Sequence, residues 1–416
     1  MYDTGAENMN NNDDMKKKIG KAVRKNALYG KNIDLHKFTG VASKHNYVND
    51  IGEIEKGKTH QMKSIGMDVG AINRAGTYVQ IDHSVVNCNT EKYGLEIMDI
   101  ENAIKEYSWL KEYFWKAVAP DNDKYTAMTY LEPKHGYFIR ALKNAKISEP
   151  VQACLYISDE NLIQDVHNVI IIEEGAELNV ITGCATDSKV EQGMHIGVSE
   201  FYVKKGGKLS FTMIHNWGEK VAVRPRTTVI VEEDATYISN YICLNKVADL
   251  QMYPTVKLIG RGAVVRMNSV LVAATGTNMD VGSRVILEAP ETKAEIIART
   301  ISTGGIVINR GHLIGKASES KAHLECHGLL LSDEGLIHAI PELESESSDA
   351  ELSHEAAVGK IAPEEIEYLM SRGLTEEEAI ATIVRGFLNV NIEGLPESLK
   401  AEIDKVIQSF NLNKGI

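Results

Sequence analysis

Short apolar runs and polar corners alternate along the chain from about residue 135 to residue 358. The runs are rich in Val, Ile, Tyr and Thr, and polar positions alternate with apolar ones, which is typical of strands and not of helices. One form recurs, a strand, a tight charged corner and a second strand, in VIIIEEGAELNVI, FYVKKGGKLSFTMI, TVIVEEDATYISNYI and VKLIGRGAVVRMNSV. This segment is therefore predicted to be all β.

The corners recur at a nearly constant interval. With Gly175, Gly206, Asp234, Gly262 and Pro290 as markers, the successive gaps are 31, 28, 28 and 28 residues. A fixed period of this size is the mark of a solenoid, in which each coil buries its apolar row only by stacking on its neighbours. A β-sandwich is the alternative, but its turns recur every 8–12 residues. The pattern favours a parallel β-helix.

Helical spacing appears on both sides of the β segment. A polar tail over 1–14 precedes a basic helix from Met15 to about Tyr29, and the string IMDIENAIKEYSWLKEYFWKAVA predicts a long helix over 97–119, capped by Asp99 or Glu101. After the β segment, helices are predicted for IAPEEIEYLMSRG, for TEEEAIATIVRGFLNV and for LPESLKAEIDKVIQSF. Thr375 and Glu378 form a capping box at the start of the second of these.

These patterns divide the chain into four regions. We predict an N-terminal tail and helix over 1–30, an N-terminal α/β region over 31–134, a parallel β-helix core over 135–358 and a C-terminal helical domain over 359–416. The predicted fold class is mainly β, a right-handed parallel β-helix flanked by helical regions.

Composition excludes several classes of protein. A formal net charge of −13 over 416 residues argues against binding to nucleic acid, which usually requires a basic surface. The chain contains no run of 18 apolar residues, so no membrane span is predicted. The N-terminus has no apolar segment typical of a secretory signal. Five dispersed cysteines without a CxxC pair favour the reducing cytoplasm. No phosphate-binding loop GxxxxGK[ST] occurs, so ATP hydrolysis by this chain is not expected.

Candidate chemistry is concentrated near the end of the β segment. Five of the thirteen histidines fall between residues 312 and 354, together with Cys326 and a run of acidic residues. In the strand HLECH, His323, Glu325 and His327 share one face and Cys326 takes the other. A metal site must therefore draw partners from an adjacent coil or another subunit, and His338 and His354 are candidates. The spacing matches no closed zinc motif, and a solvated polar edge with a buried cysteine stays open as the alternative.

A second thiol, Cys184, lies where the strand of VITGCATDS ends. From the local sequence alone, a buried inert thiol is the simpler interpretation, unless a path connects it to a reactive site.

Two other functional classes fit a solenoid. A carbohydrate-active β-helix enzyme would need paired carboxylates in a groove on the solenoid face, whereas the acidic residues here cluster at the C-terminal end. A purely structural solenoid would not need the capped helical tail.

The C-terminal string HEAAVGKIAPEEIEYLMSRGLTEEEAIATIVRGF resembles the signature region of the SufB/SufD family of iron–sulfur cluster assembly proteins. Three further stretches agree, namely DIENAIKEY…LKEYF, EPVQACLYI and LIQDVHNVIIIEEGAELNVITGCAT with the later HNW. The resemblance covers roughly residues 95–395.

The resemblance implies a non-enzymatic scaffold on which a transient cluster, of the 4Fe-4S type, forms at a dimer interface. It implies a homodimer or a heterodimer with a SufD-like paralogue, and C-terminal helices that bind a SufC-like ABC ATPase. Cys326 matches the family's scaffold cysteine, and His354 and Glu355 match the His-Glu pair of SufB, where SufD has His-Gly. Cys184 resembles the cysteine that receives sulfur in bacterial SufB and passes it along the solenoid interior.

This chain departs from bacterial SufB in having no N-terminal CxxC motif, which puts a further N-terminal cluster in doubt. It is also shorter than typical bacterial SufB, as expected of a minimal archaeal SufBC system.

Overall fold

The computed structural model describes residues 15–26, 30–67, 69–70, 73–132 and 134–388. Its dominant feature is a β-solenoid of about eight turns with helices at both ends. The predicted fold class is therefore confirmed, and the β-sandwich alternative is wrong. The predicted tail over 1–14 and the predicted last helix over 395–410 lie outside the described residues.

Two long sheets form the walls of the solenoid. Sheet 1 has ten strands in the order β2-β1-β5-β7-β9-β12-β15-β17-β19-β21, and sheet 2 has the order β10-β13-β16-β14-β11-β8-β6-β4-β3, with β18 and β20 added beyond β16. Apart from the antiparallel pairs β1–β2 and β3–β4, neighbouring strands are parallel. The strands are β1 Gly76–Ile81, β2 Ser84–Thr90, β3 Leu95–Asp99, β4 Tyr137–Ala141, β5 Val151–Ile157, β6 Ile163–Ile172, β7 Glu177–Thr186, β8 Gln192–Val203, β9 Lys208–Asn216, β10 Lys220–Val223, β11 Arg226–Val231, β12 Thr236–Cys243, β13 Asp249–Met252, β14 Thr255–Leu258, β15 Val264–Ala274, β16 Asn278–Leu287, β17 Lys293–Thr303, β18 Ile306–Gly315, β19 Lys321–Leu330, β20 Leu336–Ser345 and β21 Glu351–Gly359.

The coil corners have one backbone conformation in common. A left-handed residue occupies each of them, which is easy for glycine and tolerated by Asn and Asp. At the corners before Glu319, its backbone N–H donates to a carbonyl of the next coil, as from Gly175 to Lys205 and from Gly206 to Glu233. The left-handed residues are Asn144, Gly175, Gly206, Asp234, Gly262, Glu291 and Glu319. The predicted corners are thus confirmed, with Glu291 in place of the marker Pro290.

Ion pairs connect successive coils next to these corners. Lys143 pairs with Glu174 at 2.7 Å and Lys205 pairs with Glu233 at 2.9 Å, and Arg261 pairs with Glu291. These side chains are largely exposed, so each pair contributes little to stability.

The apolar core has two parts. One fills the solenoid interior, from Tyr78 in β1 to Ile337 in β20. The second covers the outer face of sheet 1, where residues of 51–67 and the C-terminal Val384 and Leu388 belong to the same buried cluster. The segment 51–67 and the C-terminal helix therefore pack on the same sheet.

The helices differ from the sequence prediction in the N-terminal part of the chain. Six α-helices occur in the described chain: α1 over 15–22, α2 Lys56–Ser64, α3 Ile100–Glu106, α4 Lys124–Leu131, α5 Pro363–Ser371 and α6 Glu376–Leu388. The capping box before α6 is confirmed, since Thr375 N donates to Glu378 Oε2 at 2.8 Å and Glu378 N donates to Thr375 Oγ1 at 3.2 Å.

The long helix predicted over 97–119 is wrong, because α3 covers only seven residues and is followed by a 3₁₀-helix, Ser108–Glu112. Asp99 stands at the N-cap of α3 without a capping hydrogen bond.

A buried carboxylate keeps residues 115–118 out of a helix. Glu200 of β8 is 0% exposed and accepts backbone N–H bonds from the four consecutive residues of 115–118, at 2.5–3.0 Å. His167 Nε2 lies 2.8 Å from the same carboxylate. Four successive amides that converge on one carboxylate cannot also donate within a helix, and Trp115 adopts a left-handed φ of 57°.

A second buried carboxylate, Asp165, makes stability depend on pH. It is 2% exposed, its Oδ2 has no hydrogen-bond partner in the described chain, and burial raises its pKa to about 7. The folded protein then holds this proton more tightly than the unfolded chain, so stability falls as pH rises from about 4 to about 7.

We expect Asp165→Asn to stabilise the protein at pH 8 by roughly 2–4 kcal/mol and to have little effect near pH 4. Urea unfolding at the two pH values measures this difference, with the exposed Asp349→Asn as control. An equal effect of Asp165→Asn at both pH values would contradict the assigned cause.

No helix of the described residues is long and apolar enough to cross a membrane.

Candidate functional site

Cys326 points into the solenoid interior near its C-terminal end. It lies in β19, where buried Ala322, Leu324 and Cys326 alternate with the outward His323 and His327, as the sequence pattern predicts. The thiol is 1% exposed. Burial, together with the charge of Glu325, raises its pKa to about 11, and Arg299 acts in the opposite direction. The group is therefore a thiol at neutral pH, and it must lose its proton when it binds a metal or sulfur.

Only one strand of the described chain separates Cys326 from the end of sheet 1. The final strand, β21, pairs Cys326 with Ala356 and Leu324 with His354. Its inward residues His354, Ala356 and Val358 are exposed, since no further coil covers them. His354 therefore shares the inner face with Cys326, one residue pair along, at the open end of the solenoid.

Glu355 lies on the opposite, outer face of the same strand. It pairs in register with Glu325, and its Oε1 lies 3.4 Å from Nε2 of His327. Nδ1 of His327 lies 3.4 Å from Oε1 of Glu325, which in turn forms an ion pair with Arg299 at 2.5 Å. No motif in the sequence points to Arg299, although it precedes His327 by one coil length.

His338 occupies another wall of the solenoid. It lies in β20 of sheet 2, is exposed, and neighbours the buried Ile337, so it points outward from that sheet. Of the four predicted ligands, the structure places Cys326 and His354 on one face. Glu355 lies on the outer face of β21, and His338 lies on sheet 2.

Cys184 faces the interior several coils earlier. It pairs in register with His215, which pairs with Cys243 on the next strand, so both thiols flank one imidazole. Nδ1 of His215 lies 2.9 Å from the hydroxyl of Tyr241. Burial raises the pKa of Cys184 well above its ordinary value and lowers that of His215, so both groups are neutral.

A cavity of about 40 Å³ is lined by residues of the coils between those of Cys184 and Cys326. Its lining includes Met213, Tyr241 and Ser269, which occupy the same inward column as Ala298 and Cys326. The volume suffices for a water molecule or an atom of similar size. The solenoid interior is therefore not fully packed in the coils between Cys184 and Cys326.

One group of three side chains in the described chain could hold a metal ion, and it lies away from these thiols. Ligand atoms of Asp99, Glu101 and His135 lie within 4.8 Å of one another. Nδ1 of His135 is 3.0 Å from Oδ1 of Asp99, and this hydrogen bond raises the pKa of His135. These residues already satisfy one another as an ion-pair cluster, so the geometry alone does not require a metal.

Comparison with known proteins identifies the relatives of this chain. Residues 155–387 match the family model described as SUF system FeS cluster assembly, SufBD core domain. An iron–sulfur cluster assembly SufBD family protein of Methanothermobacter thermautotrophicus (strain Winter) is 49% identical over 400 residues, 95% of this chain and 98% of the relative. The corresponding protein of Archaeoglobus fulgidus is 50% identical over 359 residues, 86% of this chain and 96% of the relative. That of Pyrococcus horikoshii is 32% identical over 344 residues, 80% and 76% of the two chains.

Proposed function

The chain belongs to the SufBD family of iron–sulfur cluster assembly proteins, and we propose that it is the scaffold on which a nascent cluster is built. In this role it binds iron and sulfide as cargo and does not catalyse a reaction of its own. Cys326 supplies the principal ligand, and His354 and Glu355 are weaker ligands that allow the cluster, of the 4Fe-4S type, to be passed on. The five free thiols suit the reducing cytoplasm.

The position of Cys326 carries this proposal. A soft thiolate is the preferred ligand of iron–sulfur clusters. Cys326 is buried, which protects it from oxidation, yet it is one strand from the open end of the solenoid and on the same face as His354. A ligand that is protected in the monomer and close to an open end suits a cluster that is assembled between two subunits.

The exposed strand β21 is the proposed dimer contact. Its outer edge has no partner strand in the described chain, and unpaired edges favour pairing with another chain. Val358 is 41% exposed on its inward side. A second copy, or a SufD-like paralogue, placed at this end would cover the apolar surface and bring a second set of ligands towards Cys326.

The C-terminal helices are the proposed contact for a SufC-like ABC ATPase, which would hydrolyse the ATP. α5 buries none of its residues, and Tyr368 and Met370 are 58% and 43% exposed. α6 packs on the outer face of sheet 1 through Val384 and Leu388. Movement of the partner would thus be passed through α6 to the solenoid wall.

Cys184 is the proposed entry point for sulfur. Five strand steps separate it from Cys326, about 24 Å at the usual strand spacing of roughly 4.8 Å. The cavity beside Tyr241 and Ser269 lies between them and supports an interior path.

Anaerobic reconstitution tests the proposed function. The purified protein, incubated with ferrous iron and sulfide and then desalted, is expected to retain iron and acid-labile sulfide in equal amounts with charge-transfer absorption of a cluster. Protein that keeps neither after desalting, alone or with its ATPase partner, would contradict the scaffold role. The alternative of a carbohydrate-active β-helix has less support, because the family is one of cluster assembly.

A further inference from the structure

The two faces of β19 and β21 separate the proposed ligands of one chain. Cys326 pairs with Ala356 on the inner face, whereas Glu325 pairs with Glu355 on the outer face. The backbone of the sheet lies between the thiol and the Glu355 carboxylate. One iron ion therefore cannot be shared by Cys326 and Glu355 of the same chain. As a cluster ligand Glu355 would serve the thiol of the second subunit, and within its own chain it acts with residues of its own face.

His327 is the nearest such residue. Its two ring nitrogens face two different carboxylates, with Nδ1 at 3.4 Å from Glu325 Oε1 and Nε2 at 3.4 Å from Glu355 Oε1. Nε2 is buried and makes no hydrogen bond within the described part of the chain. The Glu355 carboxylate opposite it is 66% exposed. An unused imidazole nitrogen thus faces a carboxylate that solvent and ions can reach.

The other side of the ring is held in place. Glu325 is anchored by its 2.5 Å ion pair with Arg299, and both side chains are 19% exposed. A histidine that ligates a metal usually donates its second N–H to a carboxylate, which fixes its tautomer and orientation. Glu325 stands in that position for Nδ1 of His327. A proton on Nδ1, which faces Glu325 at 3.4 Å, leaves the lone pair on Nε2, on the side of Glu355.

We propose that His327 Nε2 and Glu355 form a loading site for a divalent iron ion on the outer face of sheet 1. Imidazole and carboxylate both suit ferrous iron. Glu325 and Arg299 position the histidine without touching the metal. Water completes the coordination in the single chain, so binding is weak and reversible, as a site that passes its ion on requires. The inference rests on the proposed function only in naming iron as the ion.

Iron binding in the absence of sulfide tests this site separately from cluster formation. Equilibrium dialysis of the full chain against ferrous iron, under anaerobic conditions at neutral pH, is expected to show at least about tenfold weaker binding for His327→Gln than for the wild type. Glu355→Gln should weaken binding similarly. His323→Gln is the matched control, because His323 lies on the same strand and face and contacts Ser353 at 2.9 Å.

A second variant keeps the result independent of the scaffold role. In a Cys326→Ala background, which lacks the proposed cluster ligand, His327→Gln should still weaken ferrous-iron binding by the same factor as it does in the wild type. The proposal is overturned if wild type binds no iron, if His327→Gln binds as wild type does, or if His323→Gln weakens binding equally. Those results would mean that His327 only bridges two carboxylates as an ion pair. Failure of cluster reconstitution with iron binding intact would instead overturn the scaffold role alone. Thermal unfolding of each variant verifies that the solenoid is folded.

Discussion

Cys326→Ala is expected to lower the iron and acid-labile sulfide retained after anaerobic reconstitution at least about tenfold, since loss of even an indirect partner of a metal ligand costs 10–100-fold in affinity. No other cysteine of the described chain lies near the open end of the solenoid. Cys184 and Cys243 are several strands away in the interior. Iron counting and absorption after desalting measure the effect.

Cys154→Ala provides the matched control. Cys154 is also fully buried in sheet 1, and burial raises its pKa to about 12. Its side chain belongs to the outer cluster and not to the solenoid interior. Both substitutions remove one buried sulfur, so they should cost similar stability. Equal loss of cluster in the two variants would mean that the effect comes from damaged packing and not from a missing ligand.

Glu200→Ala is expected to lower the free energy of unfolding by roughly 3–5 kcal/mol, the cost of removing one member of a buried polar network. Four backbone N–H groups of 115–118 and the ring of His167 would lose their acceptor at once. Burial lowers the pKa of His167 even though Glu200 opposes the shift, so the imidazole cannot compensate with a charge. Urea unfolding followed by far-ultraviolet circular dichroism measures the loss.

The effect should be specific to the buried acceptor. Glu200→Gln retains one carbonyl oxygen and should fall between Glu200→Ala and wild type. Glu174→Ala, which removes an exposed corner ion pair, should leave the unfolding free energy close to the wild-type value. A Glu200→Ala protein as stable as the wild type would show that 115–118 does not depend on this carboxylate.

The solenoid could be predicted from sequence because its signals are local and repeated. Each corner needs a left-handed residue, and Gly175, Gly206 and Gly262 mark it at a steady interval. Strand alternation also placed Cys326 on the face opposite His323 and His327. Both inferences depend on backbone geometry within a few residues.

The helical regions were predicted less well, because distant contacts decide them. The apolar spacing of 97–119 favours a helix, yet Ile97 lies in β3 and the amides of 115–118 bind Glu200, more than 80 residues away. α2 was missed altogether. It is a mostly polar helix whose Ser64 contacts Asn216 of the solenoid, and the local sequence contains no trace of that contact.

The sequence indicates the region of the candidate site, but not which of its side chains lie close together. The sequence does not show which residues of neighbouring coils lie side by side. His338 is therefore predicted as a ligand together with Cys326, although it lies on sheet 2. A usable signal did exist, because residues one coil length apart are neighbours. The 28-residue period leads from Arg299 to His327, but the last coil is two residues longer, so the same step from Glu325 gives Ser353 and not Glu355.

The charges at the corners also affect the order in which the coils stack during folding. Taken in sequence, Lys143, Glu174, Lys205, Glu233, Arg261 and Glu291 alternate in sign along one column. A folding error that omitted one coil would place Lys205 beside Arg261, two cations, whereas omission of two coils would restore opposite charges. Weak as each pair is, the column opposes slippage by a single coil.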